Sequence, residues 1–323
     1  MIKWGIIAPG GIANAFAKEV IKTKDGILSA VYGRNEDKTK EFAKMHKIDK
    51  YYSDIDEFLK DKDIDAVYIA TPHNYHMEYA KKCVKAKKHI LCEKPFSYNQ
   101  KTGKEVIDLA KENNVFIMEA LWTLFLPAVN KAKEWIEEGK IGKIKLITAN
   151  FGIKSEFNAK HRLYNPDLAG GALLDLGIYP ILFSNYIADS YPIEIKSNAE
   201  FTKTNVDESD IINLKYKDGI LSSLNCSLTA KLNNEAVIYG ENGKIVIPRF
   251  WSSKEAYLYT EENTEKYIDE YEEAGYKHEI EEANNCIMNK ALESNVASHK
   301  NTLELAKIMD EIRKQIGLVY PFE

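Results

Sequence analysis

Cysteine is scarce in this chain of 323 residues: Cys83, Cys92, Cys226 and Cys286 lie far apart, with no Cys-x-x-Cys pair. That spacing writes neither a disulfide framework nor a zinc knuckle, and it fits a reducing, cytoplasmic setting. Nine prolines and 17 glycines leave no linker-like or low-complexity tract, so global disorder is excluded. Positive charge is not in excess either. Lys and Arg number 44 against 49 Asp and Glu, a formal net charge of -5, and no nucleic-acid partner is expected. The longest apolar neighbourhood, Ala169 to Ala188, is broken by Asp175, Gly177 and Pro180, which argues against a bilayer span of ~20 apolar residues. Met1 to Ala8 is too short for a secretory core and runs directly into a glycine turn. The expectation is a soluble protein with no membrane partner.

A chain that is 45% hydrophobic and 29% charged, at this length, holds two domains of roughly 150 residues each. Up to about residue 121, short β-rich runs alternate with helical patterns. The runs are Ile2 to Ala8, Leu28 to Tyr32, Ala66 to Ala70, Ile90 to Cys92 and Val115 to Glu119. Between them, Ile12 to Ile21, Asp37 to His46, Tyr75 to Ala86 and Thr102 to Glu112 carry apolar residues at helical spacing. This order predicts an α/β fold, a doubly wound Rossmann domain over residues 1–121 whose strands are parallel and buried on both faces. After a helix from Pro127 to Glu138 the rhythm changes. Seven β-like runs, from Lys143 to Phe151 through Ala256 to Tyr259, follow one another with turns such as Lys217-Asp218-Gly219. Three further helices are expected near Gly171 to Ala188, Tyr276 to Leu292 and His299 to Ile316. Residues 122–323 therefore read as a second α/β domain with a large, mainly antiparallel, open sheet. Such a sheet has a face that the helices leave uncovered, which predicts a homodimer or dimer of dimers through it.

The turn Ala8-Pro9-Gly10-Gly11-Ile12-Ala13 lies between the first strand and the first helix, where a dinucleotide-binding fold places its phosphate loop. The pattern is incomplete, with Ala8 and Ala13 in the outer positions, but Gly10 offers the close backbone approach a pyrophosphate needs. Gly33-Arg34-Asn35 ends the second strand where an NAD site usually carries an acid. The planar fork of Arg34, with Lys38 one turn later, suits a 2′-phosphate, so NADP is favoured and NAD remains possible. The competing reading makes Arg34 an ordinary surface residue and lets Glu36 replace the missing acid. Cys92-Glu93-Lys94-Pro95 then closes the fifth strand at its carboxyl end, the edge along which ligands bind, with Lys94 facing the crevice.

At this point the residues resemble a family. The Gly10-Gly11 loop, Thr71-Pro72-His73-Asn74-Tyr75-His76, Glu93-Lys94-Pro95 and Gly170-Gly171-Ala172-Leu173-Leu174-Asp175-Leu176-Gly177-Ile178-Tyr179 occur in the order found in the Gfo/Idh/MocA oxidoreductases. Met118 to Thr123 and the Asp175 to Tyr179 segment are most similar to the branch of dimeric dihydrodiol dehydrogenase and NADP-dependent D-xylose 1-dehydrogenase. Many members have histidine four residues after the aspartate, whereas this chain, like that branch, has Tyr179. The resemblance implies that Ala8, Gly10, Gly11, Ile12, Ala13, Gly33, Arg34, Asn35, Lys38, Glu93 and Lys94 bind the cofactor. It also implies that Thr71, Pro72, Asn74 and His76 line the nicotinamide ribose, with His73 more exposed.

Oxidising an alcohol needs a base for the hydroxyl proton. Tyr179 is the expected base, helped by the ammonium of Lys94, which favours the ionised phenol; the two must assemble across the two domains. Asp175, one turn before Tyr179, either orients a substrate hydroxyl or holds Lys94. Trp122 and Phe151 are candidate walls of the substrate pocket. Arg162 lies in a loop that could cover it, and is equally readable as a surface residue. His73 and His76 lack a third ligand at a supporting spacing, so no metal site is read. No tyrosine has a lysine four residues later, which discounts a short-chain dehydrogenase. The expected function is hydride transfer between a nicotinamide and a hydroxyl-bearing carbon of a sugar, cyclitol or cyclic trans-diol. The alternatives are a redox sensor without turnover and a glycoside-cleaving relative.

Overall fold

The computed structural model describes residues 1–271 and 275–323. The chain forms two compact units. The first comprises Met1–Leu121 and a later return of the chain that includes helix α8 (Tyr276–Met288) and ends at Leu303; the second holds the rest. The single cut expected between residues 121 and 122 is therefore corrected. A helix that followed the second sheet in sequence belongs to the first unit, because its apolar side supplies a layer that unit needs.

In the first unit six strands pair in parallel in the order β3-β2-β1-β4-β5-β6. They are β1 (Ile2–Ile7), β2 (Gly26–Tyr32), β3 (Lys50–Tyr52), β4 (Ala66–Ile69), β5 (His89–Cys92) and β6 (Ile117–Glu119). This is the doubly wound order, and it places a crevice at the carboxyl ends of β1 and β4, where the order reverses. Its helices are α1 (Gly11–Val20), α2 (Glu36–Met45), α3 (Ile55–Lys60), α4 (His76–Lys85), α5 (Gln100–Glu112) and α8 (Tyr276–Met288). Every residue of β4 is buried, as a central strand covered on both faces requires. Local chemistry fixes the helix starts. Asn35 accepts from the Lys38 N–H and Asn99 from the Thr102 N–H, each satisfying a donor that has no partner inside the helix. α8 packs on α1 and β1, and its Asn284 accepts from the indole of Trp4 at 2.9 Å. Trp4 meets Phe16 edge-on, and Phe16 stacks on Tyr68 at 3.9 Å between centroids.

The second unit is built on eight strands in the order β14-β13-β12-β11-β7-β10-β9-β8. These are β7 (Ile144–Gly152), β8 (Glu194–Phe201), β9 (Asp207–Lys215), β10 (Leu221–Ser227), β11 (Glu235–Gly240), β12 (Gly243–Pro248), β13 (Glu255–Thr260) and β14 (Thr264–Ile268). β7 and β10 pair in parallel and every other neighbour pair is antiparallel. α6 (Pro127–Glu137), α7 (Ile178–Ala188) and the end of α9 (His299–Ile316) belong to this unit. The long helix expected from about Gly171 to Ala188 is present from Ala172, with a π-helical turn, Leu173–Gly177, leading into α7. The stretch Pro166–Ala188 is long and apolar enough to cross a membrane by length and composition, yet most of it is packed inside this unit.

On the opposite face of the sheet, register aligns Leu221 with Leu146, and Leu146 with Tyr239. Leu221, Tyr239, Tyr259 and Ile211 remain exposed there. This leaves an apolar band on a sheet that carries its helices elsewhere.

Candidate functional site

The expected phosphate loop is built as a tight passage from β1 into α1. Ala8 takes a left-handed conformation, φ 72. Gly10 heads α1 with no side-chain cap, so the first N–H groups of that helix are left for an external acceptor. A Cβ on Gly10 would meet only the Ala8 carbonyl, at 4.0 Å, and one on Gly11 would meet nothing. Packing within the protein does not demand glycine at these positions, and the bare backbone leaves room for an anion to approach. Ala13 is fully buried, so its part is the close seating of α1 on the sheet.

Beside the loop lies a cavity of about 200 Å³ lined by Ala8, Gly33, Arg34, Asn35, Lys38, Thr71 and Pro72, all expected there, and by Tyr75 and Tyr79, which were not. The Arg34 guanidinium sits 5.5 Å over the Tyr75 ring, a cation–π contact that holds an exposed fork in place. Arg34 and Lys38 line the cavity and Glu36 is not among its lining residues. Asn35 is at the cavity, but its side-chain oxygen is already used to cap α2. Thr71 Oγ1 and Asn74 Oδ1 are buried without hydrogen-bond partners among the described residues, a cost that a bound polar ligand relieves. An open glycine cradle, an uncapped helix head and two orphaned oxygens fit a dinucleotide.

His76 corrects its expected role. It is fully buried, with Nδ1 2.8 Å from the Pro95 carbonyl and Nε2 2.9 Å from that of Thr71. It thus ties the loop after β4 to the segment after β5 instead of lining a ribose, and burial lowers its pKa. His73 is buried as well, not exposed.

The segment after β5 is a buried run with one opening. From Ile90 to Ser97 every residue is buried except Lys94, and the Lys94-Pro95 peptide is cis. Glu93, expected at the cofactor, supports this segment from beneath: it accepts from the Tyr68 hydroxyl and, through Oε2, from the Lys94 N–H at 3.2 Å. Glu279 of α8, fully buried, is pushed well above the ordinary carboxyl range by burial and by the charge of Glu93. Sequence reasoning missed it because a lone glutamate in an amphipathic helix carries no motif.

Glu119, at the end of β6, accepts from the Phe96 N–H at 2.7 Å and so anchors the same segment. Burial raises its pKa to about 7. A carboxyl whose folded pKa exceeds its unfolded value stabilises the fold below the unfolded value, and that contribution is lost as pH rises through the folded one. Wild-type protein should therefore lose stability between about pH 4.5 and 7, by roughly 3 kcal/mol at most. Glu119→Gln keeps the acceptor and removes the charge, so its melting temperature should fall less over this window than that of wild type, the remaining slope coming from the other raised carboxyls, Glu279 and Asp210. Thermal denaturation at pH 5 and pH 8 checks this, and a wild-type pH slope retained in the variant would contradict it.

In the second unit, Asp175 lies in the π-helical turn and Tyr179 in the first turn of α7. Tyr179 is the one residue from Gly171 to Pro180 that is not buried. Its ring meets Phe151 edge-on at 5.5 Å, and Phe151 stacks on Trp251 at 3.6 Å and 11°. Trp251 was not anticipated: it sits in a helical turn after β12, and nothing in its neighbourhood marks it. Trp122 is buried. Arg162 forms a paired contact with Asp175, Nη1 to Oδ1 at 2.7 Å and Nη2 to Oδ2 at 3.3 Å. Neither expected role of Asp175 included this partner, and Arg162 is not an idle surface residue.

Family models match both parts of the chain: an oxidoreductase family with an NAD-binding Rossmann fold over residues 2–121, and a Gfo/Idh/MocA C-terminal domain over residues 129–246. The chain belongs to the Gfo/Idh/MocA oxidoreductase family. It is 33% identical over 329 aligned positions to trans-1,2-dihydrobenzene-1,2-diol dehydrogenase of Danio rerio, covering 99% of this chain and 98% of that one. It is also 33% identical to scyllo-inositol 2-dehydrogenase (NADP(+)) of Bacillus subtilis, covering 99% of each. Among solved structures, a 3-ketoreductase from Actinomadura kijaniata in complex with NADP and TDP-benzene superposes with a TM-score of 0.89. It is 21% identical and covers 98% of both chains; at this identity the likeness is one of fold.

Proposed function

We propose that this family member is an NADP-preferring dehydrogenase that oxidises a carbinol of a polyol ring, a cyclitol, sugar or cyclic trans-diol. The observation that carries the reading is the buried run after β5 that opens only at Lys94, beside a dinucleotide cradle in the same unit. The named activities of its relatives, on a dihydrodiol and on an inositol, support the substrate class.

Bound NADP supplies the hydride acceptor. The protein's own share is to hold the substrate and move its proton. Tyr179 takes the proton of the reacting hydroxyl, and the Lys94 ammonium favours the ionised phenol and donates to the substrate oxygen. The guanidinium of Arg162 fixes the carboxylate of Asp175, leaving that residue as a preset acceptor for a neighbouring hydroxyl. The stacked Phe151 and Trp251 rings offer flat apolar surface to the C–H face of a ring substrate. A screen of inositols, aldopentoses, aldohexoses and cyclic trans-diols, followed by NADPH absorbance, tests the reading. Turnover of none of them, with NADP shown to bind, would overturn it.

The exposed Ile211, Leu221, Tyr239 and Tyr259 support assembly through the open face of the eight-stranded sheet, where a second copy would cover them. Light scattering should then give about twice the chain mass of 36.8 kDa, and Leu221→Glu combined with Tyr239→Glu should return it to a single chain. A monomeric wild type at micromolar concentration would contradict this. Four buried, unbridged cysteines are compatible with the cytoplasm as its compartment.

A further inference from the structure

The mechanism above uses neither of the two buried carboxyls on β9. Asp207 is 0% exposed and Asp210 1%. The π-helical turn that carries Asp175 has no cap of its own, since Ala172 at its head makes no side-chain cap bond. Asp207 supplies one from β9: its Oδ2 accepts the Leu173 N–H at 2.5 Å, and the Ala172 N–H points at the same carboxylate. Behind it, the Asp210 carboxyl faces Asp207, and the Cys226 thiol donates to Asp210 Oδ2 at 3.2 Å.

This cluster explains two glycines of the helix motif. A Cβ on Gly171, where φ is +126, would lie 2.0 Å from Asp207 Oδ1, and one on Gly177 would lie 3.0 Å from Cys226 Sγ. The backbone is thus pressed against Asp207 ahead of the turn and against the Cys226 thiol at its end. Two such neighbours do not both ionise. Burial and the charge of Asp207 push Asp210 well above the carboxylate range, so Asp210 keeps the proton and Asp207 presents the anion to the N–H groups.

We propose that Asp207 is a positioning residue for the reaction: a cap donated from β9 that fixes the turn on which Asp175 and Tyr179 stand, with Asp210 as its hydrogen-bond donor. The catalytic part of this statement rests on the roles given to Tyr179 and Asp175 above; the cap itself does not.

The two isosteric variants should behave unequally. Asp207→Asn removes the anion from the helix head, whereas Asp210→Asn keeps a donor facing Asp207. By hydrogen-exchange mass spectrometry, the segment 171–179 should exchange at least tenfold faster in Asp207→Asn, equivalent to about 1.4 kcal/mol, and within threefold of wild type in Asp210→Asn. On the best polyol substrate, Asp207→Asn should lower kcat at least tenfold with the Kd for NADP unchanged. The deuterium isotope effect for a carbinol-labelled substrate should rise, which a smaller folded fraction would not produce. If Asp207→Asn is insoluble, Gly171→Ala displaces the same carboxylate and should give the same exchange pattern. Equal exchange in both variants overturns the cap, and faster exchange with kcat and isotope effect unchanged overturns the positioning role. A wild type that oxidises no polyol counts against the functional reading alone, because the exchange comparison needs no substrate.

Discussion

Tyr179→Phe should lower kcat by ~10² or more while leaving NADP binding and melting temperature close to wild type. The phenylalanine keeps the ring that meets Phe151 edge-on and removes only the oxygen proposed to take the proton. On the proposed pairing, Lys94→Ala should do comparable damage, because the phenol would lose a charge that favours ionisation and the substrate oxygen a donor. Groups that act as one unit do not give additive losses. The double variant should be little worse than the poorer single, whereas independent roles would multiply the two defects. Steady-state kinetics on all three proteins, with NADP affinity measured separately, decides the matter. Near wild-type turnover by Tyr179→Phe would transfer the proton-accepting role to another group, with Asp175 first in line.

The second large effect is expected at the adenosine end of the cradle. Arg34→Ala should weaken NADP binding by 10- to 100-fold, the equivalent of about 1.5–3 kcal/mol for hydrogen bonds to a charged group, and leave NAD binding nearly unchanged. Arg34 is exposed, lines the cavity and is steadied by the Tyr75 ring, with no ion pair to another side chain among the described residues. Its fork is therefore available to a phosphate. In wild type, NADP should raise the melting temperature more than NAD at equal concentration, with about 2.7 kcal/mol of stabilisation at a hundredfold excess over Kd. Equal shifts from the two dinucleotides would remove the 2′-phosphate from this account.

Most strands and helices with an apolar rhythm were readable to within one or two residues, but α8 ends at Met288, four residues before the expected Leu292. β4 and β5 are buried throughout, so their continuous apolar runs had one interpretation. What escaped was short or polar. β3 has three residues, none of them fully buried, and β14 alternates exposed and half-buried positions. Helix α3 has six residues and is held by Asp54 at its head. The first half of β9, Asp-Glu-Ser-Asp, reads as a loop by composition, yet Asp207 and Asp210 are its buried side. The site followed the same division. Lys94, Tyr179 and Arg34 lay in local motifs with a known position in the fold. Trp251, Tyr75 and Asp207 acquire meaning only from rings and backbone groups brought to them by other segments, and His76 and Glu93 lay in motifs but turned out to brace them.

The late return of α8 to the first unit has a consequence for how this protein can be cut and recombined. A fragment ending at residue 121 would keep every strand of the parallel sheet and lose the helix that lies on α1 and β1. The Trp4 indole would be stripped of its Asn284 acceptor, at a cost of about 1–3 kcal/mol for a buried polar group left unmatched, besides the apolar surface laid bare. A graft that aims to change substrate while keeping nucleotide choice must therefore exchange two stretches of sequence and retain the one between 275 and 303. A single crossover point would mate one parent's α1 with the other parent's α8.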